Sequence, residues 1–144
     1  MKRIIVLILA ICLCFCGCVS TEPQIDPNLI KIEITYSDSK NVTFDVINNA
    51  KDGIEFGSEY HIEYLDGKNW VPLEEKTETF FTMIAHVLAS GEKMNFSFDI
   101  AARYGELSSG TYRIAKNFTL LNEDGIPCGS QMAYGEFEVQ TFMK

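Results

Sequence analysis

Residues of alternating polarity dominate the chain beyond residue 29. Apolar β-branched or aromatic residues alternate with polar ones over 30–36, 42–46, 94–100 and 136–139. A period of two places successive side chains on opposite faces, so each segment predicts a strand with one buried and one solvated face. Half-solvated strands are typical of antiparallel sheets.

Turn residues separate these segments at short intervals. Asp66-Gly67 and Asp124-Gly125 are the Asp-Gly pairs that predict β-hairpins. Seven to nine short strands at this spacing predict an all-β fold, an antiparallel β-sandwich. Residues 80–88 also fit helical spacing, but the threonines among residues 77–82 disfavour a helix, and a strand with a bend is predicted there.

The charge balance limits the classes of partner. The 144 residues contain 20 acidic and 12 basic side chains, a formal net charge of −8. Binding to nucleic acid or to anionic lipid by charge requires a basic surface, so both are excluded as electrostatic partners. The length predicts a single domain.

The N-terminus has the layout of a secretory signal. Met1-Lys2-Arg3 is followed by a run of apolar residues that ends at Phe15. A spanning helix needs about 20 apolar residues, so an uncleaved membrane anchor is the alternative that this shorter run disfavours.

Phe15-Cys16-Gly17-Cys18 resembles a bacterial lipobox, in which a small residue precedes the cysteine that is lipidated. The resemblance implies lipid attachment at Cys18, although Phe15 stands where the motif usually has Leu; cleavage by an ordinary signal peptidase is the alternative. We therefore expect a signal peptide at 1–17, a lipid-anchored linker at 18–28 and a sandwich domain at 29–144. The expected location is the extracytoplasmic side of the cell membrane.

Cleavage before Cys18 leaves Cys128 as the one unmodified thiol. One thiol cannot form an internal disulfide, so the fold depends on its core. This cysteine usage suggests a Gram-positive host that does not rely on oxidative folding outside the cell.

A second sandwich signal lies in residues 104–112. Tyr112 follows Leu107 and Gly110 at the start of a predicted strand, the arrangement of a tyrosine corner. Its hydroxyl is expected to bond to the backbone of the preceding crossover.

These residues are similar to the bacterial immunoglobulin-like domains of secreted and lipid-anchored proteins, largely from Gram-positive bacteria. The similar stretches are Phe56-Gly57-Ser58-Glu59-Tyr60, Leu88-Ala89-Ser90-Gly91-Glu92, Tyr104-Gly105-Glu106-Leu107, Gly110-Thr111-Tyr112-Arg113-Ile114-Ala115-Lys116 and Phe137. The resemblance implies an immunoglobulin-like β-sandwich with no established enzyme activity.

The sequence contains no recognisable catalytic, phosphate-binding or zinc motif, so we expect no enzyme, no cofactor and no metal. His61 and His86 are expected to be solvated or hydrogen-bonded. Cys128 is predicted to be a half-buried inert thiol, with an exposed redox-sensitive thiol as the alternative. Asn122-Glu123-Asp124-Gly125 is predicted to be a hairpin turn, because it lacks the ligand spacing of a calcium loop.

Charged side chains are expected to pair between neighbouring strands. Glu59 and Glu63 are predicted to pair with Arg113 and Lys116 across strands, and a polar patch that binds a ligand is the alternative. Lys116 shares the parity of the apolar residues beside it, so a bulge near Ala115 is predicted to turn it outward.

Trp70 is predicted to lie in the core with Tyr60, Tyr64 and Phe56, since a buried tryptophan is usual in such sandwiches. The alternative is a set of exposed rings, which would indicate a platform for a sugar or peptide.

The sequence predicts a lipid-anchored, non-catalytic module that binds a protein or glycan at the cell surface or serves a structural role there. Loops at the end of a sandwich are its usual contact sites. The predicted ones are residues 48–52 and 121–131, whose strand phases are expected to make them neighbours at one end. Within them the candidates are Asn48, Asp52, Asn122, Asp124 and Cys128. A peptide added to an exposed edge strand is a further possibility. The alternative function is a peptidase inhibitor that acts through end loops.

Overall fold

The computed structural model describes residues 26, 28–78, 81 and 84–140. The predicted signal peptide and Cys18 lie outside these residues. The described part contains nine strands and one short helix: β1 (Ile30–Ser37), β2 (Asn41–Asn48), β3 (Ile54–Phe56), β4 (His61–Asp66), β5 (Asn69–Pro72), β6 (His86–Leu88), β7 (Lys93–Asp99), α1 (Ile100–Tyr104), β8 (Gly110–Leu121) and β9 (Pro127–Val139).

The strands form two antiparallel sheets, which confirms the predicted sandwich. The smaller sheet has the order β1-β2-β7. The larger sheet is centred on β8, which pairs with β9 along one edge and with β3 and β4 along the other. β6 and β5 extend that second side, by pairing with β3 and β4 respectively.

The predicted alternation determines which side chains enter the core. Val42, Phe44 and Val46 are fully buried, and they alternate with partly exposed neighbours along β2. The same pattern places Ile114 and Phe118 of β8 between the sheets. Burial of large apolar side chains from both sheets is the main favourable contribution to folding.

The edge that β8 shares with β3 and β4 contains an excursion of the chain. Glu55 pairs with Thr119 and His61 pairs with Ala115, so residues 56–60 oppose the shorter stretch 116–118. We call residues 57–59 the excursion.

The excursion explains why the prediction for Lys116 is wrong. β8 keeps a regular register with β9 through Ala115 and Lys116, so no bulge turns the side chain outward. Lys116 points inward and is 1% exposed. Its ammonium donates to the carbonyls of Gly57 and Glu59 in the excursion, which replace part of the lost hydration.

The prediction for Trp70 is also wrong. Tyr60 and Phe56 are buried in the core and Tyr64 packs against it, but Trp70 is only partly buried and is not part of that cluster. Trp70 lies on the outer face of the larger sheet, where its ring stacks on the guanidinium of Arg113 at 4.5 Å. The side-chain parity of β5, a short strand at the sheet edge, decides this placement.

The crossover between β7 and β8 contains helix α1 and the carbonyl that anchors Tyr112 of β8. Asp99 caps the helix by accepting from the Ala102 N–H. The Tyr112 hydroxyl donates to the carbonyl of Ser108 at 2.9 Å, which is the hydrogen bond of a tyrosine corner.

The predicted Asp-Gly hairpins are confirmed. Gly67 and Gly125 adopt positive φ in the turns that join β4 to β5 and β8 to β9. The strand predicted over 80–88 is confirmed for His86–Leu88 alone. Residues 84 and 85 have no regular structure, and residues 79, 80, 82 and 83 lie outside the described part.

Candidate functional site

The two loops predicted to bind a partner lie side by side. The Leu121 N–H donates to the Gly53 carbonyl at 2.9 Å, and Lys51 Nζ lies 2.6 Å from Glu123 Oε1. The loop of residues 89–92 joins them, because the Ser90 hydroxyl donates to the Ala50 carbonyl. We call residues 48–53, 89–92 and 121–126 the loop cluster.

The chain enters the domain at the same end. The Asn49 N–H donates to the Leu29 carbonyl at 2.7 Å, and the Asn49 side chain donates to the Asn28 carbonyl. The described chain ends at Gln140, beyond the opposite end of β9. The loop cluster is therefore the N-terminal end of the sandwich.

Asn48 braces the loop cluster from inside. It is fully buried, and its amide donates to the carbonyls of Asp52 and Leu88. Its side-chain oxygen accepts from the Ala50 N–H at 2.9 Å. The Asn48 side chain is committed to the fold, whereas Asp52, Asn122 and Asp124 are at least partly exposed.

Shallow clefts lie between these loops. One of about 340 Å³ lies between residues 51–53 and Leu121–Glu123, with Val87 at its margin. A second, of about 220 Å³, extends to Leu29 and Cys128. These clefts can accommodate a protruding side chain or a short loop of a partner.

Acidic groups dominate the loop cluster. Among its described residues, the loop cluster has one cation, Lys51, and four acidic side chains: Asp52, Glu92, Glu123 and Asp124. Because Lys51 already pairs with Glu123, the unbalanced charge is negative. A basic partner surface is complementary to it, and anionic lipid is not.

Asn122 shapes the hairpin turn of the cluster. Its side-chain oxygen accepts from the N–H groups of Asp124 and Ile126, at 3.0 and 2.9 Å. This oxygen is used by the turn, in agreement with the predicted hairpin. No group of three or more His, Cys, Asp or Glu in the described residues is arranged to hold a metal ion.

The prediction that Cys128 is half-buried is wrong, because the structure exposes this side chain. Its thiol lies 3.4 Å from the Leu120 carbonyl, at the start of β9. The two predicted hydrogen-bonding or solvated histidines lie apart from it. His61 is exposed and 3.6 Å from Glu59, and His86 packs on the ring of Phe56.

A recess of about 260 Å³ opens beside the excursion. Lys116 forms part of its lining, together with Glu55, Glu59, His61 and Asn117. Burial lowers the pKa of Lys116 to about 8, while the charge of Glu59 acts in the opposite direction. The two carbonyl acceptors hold the amine in place, so the recess is a polar depression with its cation already partnered.

The outer face of the larger sheet carries a stack centred on Arg113. Its guanidinium lies 4.5 Å from the Trp70 ring and 3.9 Å from the Tyr134 ring, and it pairs with Glu63. The Glu63–Arg113 pair was predicted, and the strand register confirms it. The predicted pairing of Glu59 is wrong, because its carboxylate approaches His61 and its carbonyl binds Lys116.

Arg103 is a second buried cation, and its burial is not predicted from the sequence. It donates to the Tyr60 carbonyl and pairs with Glu75, while the rings of Tyr60 and Phe81 lie 5.2 and 4.7 Å away. The hydrogen bond from Arg103 lowers the pKa of the Glu75 carboxyl. A lone arginine in the sequence Ala-Ala-Arg-Tyr carries no signal that it will be buried.

A comparison with protein families agrees with the fold. A family model described as "Bacterial Ig-like domain" matches residues 28–137. No curated protein matches the sequence. No helix in the described residues has the length and apolar character needed to cross a bilayer.

Two solved structures show a distant likeness. The archaellum periplasmic stator protein FlaG from Sulfolobus acidocaldarius is 15% identical with a TM-score of 0.37, over 76% of this chain and 99% of that one. The Pseudomonas fluorescens alkylpurine DNA glycosylase AlkC, bound to DNA with an abasic site analog, is 17% identical with a TM-score of 0.30. That match covers 78% of this chain and 31% of the glycosylase chain.

Proposed function

Because the chain belongs to the bacterial Ig-like domain family, we propose that it is a lipid-anchored module on the extracytoplasmic side of a Gram-positive membrane. Its role is to bind a partner there without catalysis. The observation that carries this proposal is the convergence of three loops at the N-terminal end, with Lys51 and Glu123 in contact across them.

The entry point of the chain gives this site an orientation. If Cys18 holds the lipid, ten residues at most separate the bilayer from Asn28, an extended reach of about 33 Å. The loop cluster then faces the membrane, and the opposite end faces the outside. The partner of the loop cluster is a protein close to the outer surface of the membrane. Its basic surface complements Asp52, Glu92 and Asp124.

Anchoring is tested by Cys18→Ser in the full chain. The variant should leave the membrane fraction, or accumulate unprocessed, and should lose labelling by a radioactive fatty acid, because the acyl chains supply the stable anchor. Cys128→Ser is the matched control, and it should stay in the membrane with its label. Retention and labelling of the Cys18→Ser chain would refute the lipid anchor.

Binding by the loop cluster is tested by crosslinking in the producing cells with a lysine-reactive reagent, read by mass spectrometry. A charge-reversed variant, Asp52→Lys with Asp124→Lys, should lose the crosslinked partner. The control is Glu33→Lys with Glu138→Lys, which changes the charge equally on strands β1 and β9. Equal loss in both variants would show that net charge, not the cluster, governs binding.

The inhibitor alternative is separated by a direct assay. The full chain in detergent should leave papain activity unchanged over a micromolar range. Sub-micromolar inhibition would replace the proposed binding role with peptidase inhibition.

A further inference from the structure

The first half of β9 is an edge that the fold leaves open. β9 spans 13 residues and pairs with β8 along one side, and no other described strand pairs with it. An unpaired strand edge presents a row of N–H and C=O groups to any extended chain that approaches it.

The strand register identifies which groups face outward. The Leu121 N–H donates to the Gly53 carbonyl on the β3 side. The backbone N–H and C=O groups of odd-numbered residues of β8 therefore point towards β3 and β4. Even-numbered residues of β8 therefore bond to β9, where their partners are odd-numbered. It follows that Ser130, Met132 and Tyr134 direct their backbone groups to the free edge.

The second half of the same edge is covered. The Ser37 hydroxyl lies 3.4 Å from the Glu138 carbonyl, in agreement with the outward direction of even-numbered residues. At Gly135 an added Cβ would lie 2.5 Å from Ile32 Cγ2, so β1 also packs closely against the inner face of β9 there. The covered part of the edge includes Glu138, and residues 130–134 lie outside it.

Every other edge among the described strands is protected. β1 carries Lys31 and Glu33 and a register shift after Ile34. β7 has a charged residue at each end, β5 has four residues and contains a proline, and β6 has three residues. Natural sheets use these features to prevent strand addition. In β9, residues 127–135 carry no charge, and the sole proline is the first residue.

A groove accompanies the open edge. It has a volume of about 360 Å³, and Ile30, Lys31 and Asn49 form one wall while Met132 and Tyr134 form the other. Met132 and Tyr134 are 43% and 45% exposed, although both are large and largely apolar. A strand that lies along this edge would cover both side chains on the outer face.

We propose that residues 130–134 of β9 accept an extended segment of a partner protein as an additional strand of the larger sheet. Backbone N–H and C=O groups of Ser130, Met132 and Tyr134 supply the hydrogen bonds. Alternate side chains of the segment lie beside Met132 and Tyr134, so they are aliphatic. The intervening ones enter the groove beside Lys31 and Asn49, so they are polar or acidic.

A second copy of this chain fits the edge less well than a partner segment. Edge-to-edge pairing of two β9 strands is antiparallel, and centred on Gln131 it places the two N-terminal ends about 30 Å apart along the strands. If the chain is anchored as proposed, one copy must use nearly the whole reach of its linker. A free segment of another protein has no such restriction.

The test is photo-crosslinking of the full chain in the producing cells, with p-benzoylphenylalanine in place of Tyr134. We expect one discrete product whose crosslinked peptide has alternating aliphatic and polar residues. The same reagent at Ile84, which is 57% exposed and lines neither the groove nor the clefts of the loop cluster, should not give this product. The absence of a product at Tyr134 would overturn the proposal.

Substitutions of Met132, combined with the crosslinker at Tyr134, distinguish pairing through the backbone from contact through the side chain. Met132→Pro removes an outward N–H that β8 does not use, so the sheet should remain folded while the product falls about tenfold. Met132→Lys keeps the N–H but places a charge on the edge, and it should also suppress the product. Met132→Ala keeps an uncharged edge and should retain most of it.

Two results would contradict the proposal. A product that persists undiminished in the Met132→Lys and Met132→Pro variants would show a contact that does not use the edge. A product that contains a second copy of this chain would assign the edge to self-association. Neither result depends on the loop cluster, and Cys18→Ser reports on anchoring separately, so failure here is distinguishable from failure of the proposed function.

Discussion

Lys116 Nζ lies 2.7 Å from the backbone carbonyl oxygen of Glu59, at the edge that β8 shares with β3 and β4. Its second acceptor is the carbonyl of Gly57, and the Phe56 ring lies 5.3 Å away. Neutral carbonyls thus stabilise a buried amine at the point where the chain leaves the edge of β8. This arrangement couples the stability of the fold to the protonation of one lysine.

The stability of the protein should rise with pH between about 8 and 10.5. Burial lowers the pKa of Lys116 from 10.5 to about 8, so in this range the unfolded chain binds a proton that the folded chain has released. The free energy of unfolding should therefore increase, by about 1–3 kcal/mol. Denaturant titrations of the full chain at a series of pH values measure it.

Lys116→Met provides the control for that dependence. The variant should be less stable than the natural chain at pH 10, because two buried carbonyls lose their donor. Its stability should lack the rise that Lys116 contributes between pH 8 and 10. An identical rise in both proteins would assign the effect to other titrating groups.

Loss of the Tyr112 hydroxyl should destabilise the fold. Tyr112→Phe removes the 2.9 Å bond to Ser108 and leaves that carbonyl without its donor, which should cost about 1–3 kcal/mol. Tyr134→Phe removes an exposed hydroxyl and should change stability by less than about 0.5 kcal/mol. Equal effects of the two changes, measured by chemical denaturation, would argue against a role for the corner.

Arg103 should contribute more to stability than its partner Glu75. Arg103→Met removes the donor to Tyr60 and the cation beside Phe81, and we expect a loss of about 2–4 kcal/mol in the free energy of unfolding. Glu75→Gln should cost about 1 kcal/mol or less, because that carboxylate is partly exposed. A larger effect at Glu75 would place the main contribution in the ion pair.

Gly135 should not tolerate a side chain. Gly135→Ala places a methyl group 2.5 Å from Ile32 Cγ2 and 3.0 Å from Ile34 Cδ1, so β1 and β9 must separate. The expected loss is about 1–3 kcal/mol. Gly129→Ala on the same strand has its nearest neighbour at 3.7 Å and should be neutral. Thermal unfolding of both variants distinguishes close packing between β1 and β9 from a general preference for glycine in β9.

Much of the fold could be predicted because its determinants are local. The alternation of Val42, Phe44 and Val46 specifies a strand and its buried face without reference to any other segment. The Asp-Gly pairs specify hairpins because Gly67 and Gly125 adopt the positive φ that those turns require. The expected cross-strand pair of Glu63 and Arg113 joins strands that are distant in the sequence, and the register of β4 with β8 confirms it.

The sequence predicted where the candidate site lies but not the role of each of its residues. Residues 48–52 and 121–131 were expected to be neighbours, and the structure brings them together. Asn48 looked like a loop residue that could contact a ligand, yet it is buried and bonded to Asp52 and Leu88. Its use inside the cluster depends on the path of two loops distant in sequence.

The sequence by itself determined the all-β class, the hairpins and the faces of most strands, because these follow from side-chain periodicity and turn chemistry within a few residues. The tertiary structure decided which strands became edges, where Lys116 and Arg103 were buried and why Trp70 remained outside. Those outcomes depend on contacts between distant segments. The carbonyls that accept from Lys116 belong to residues 59 and 57 positions before it in the chain, and no local pattern predicts where they lie.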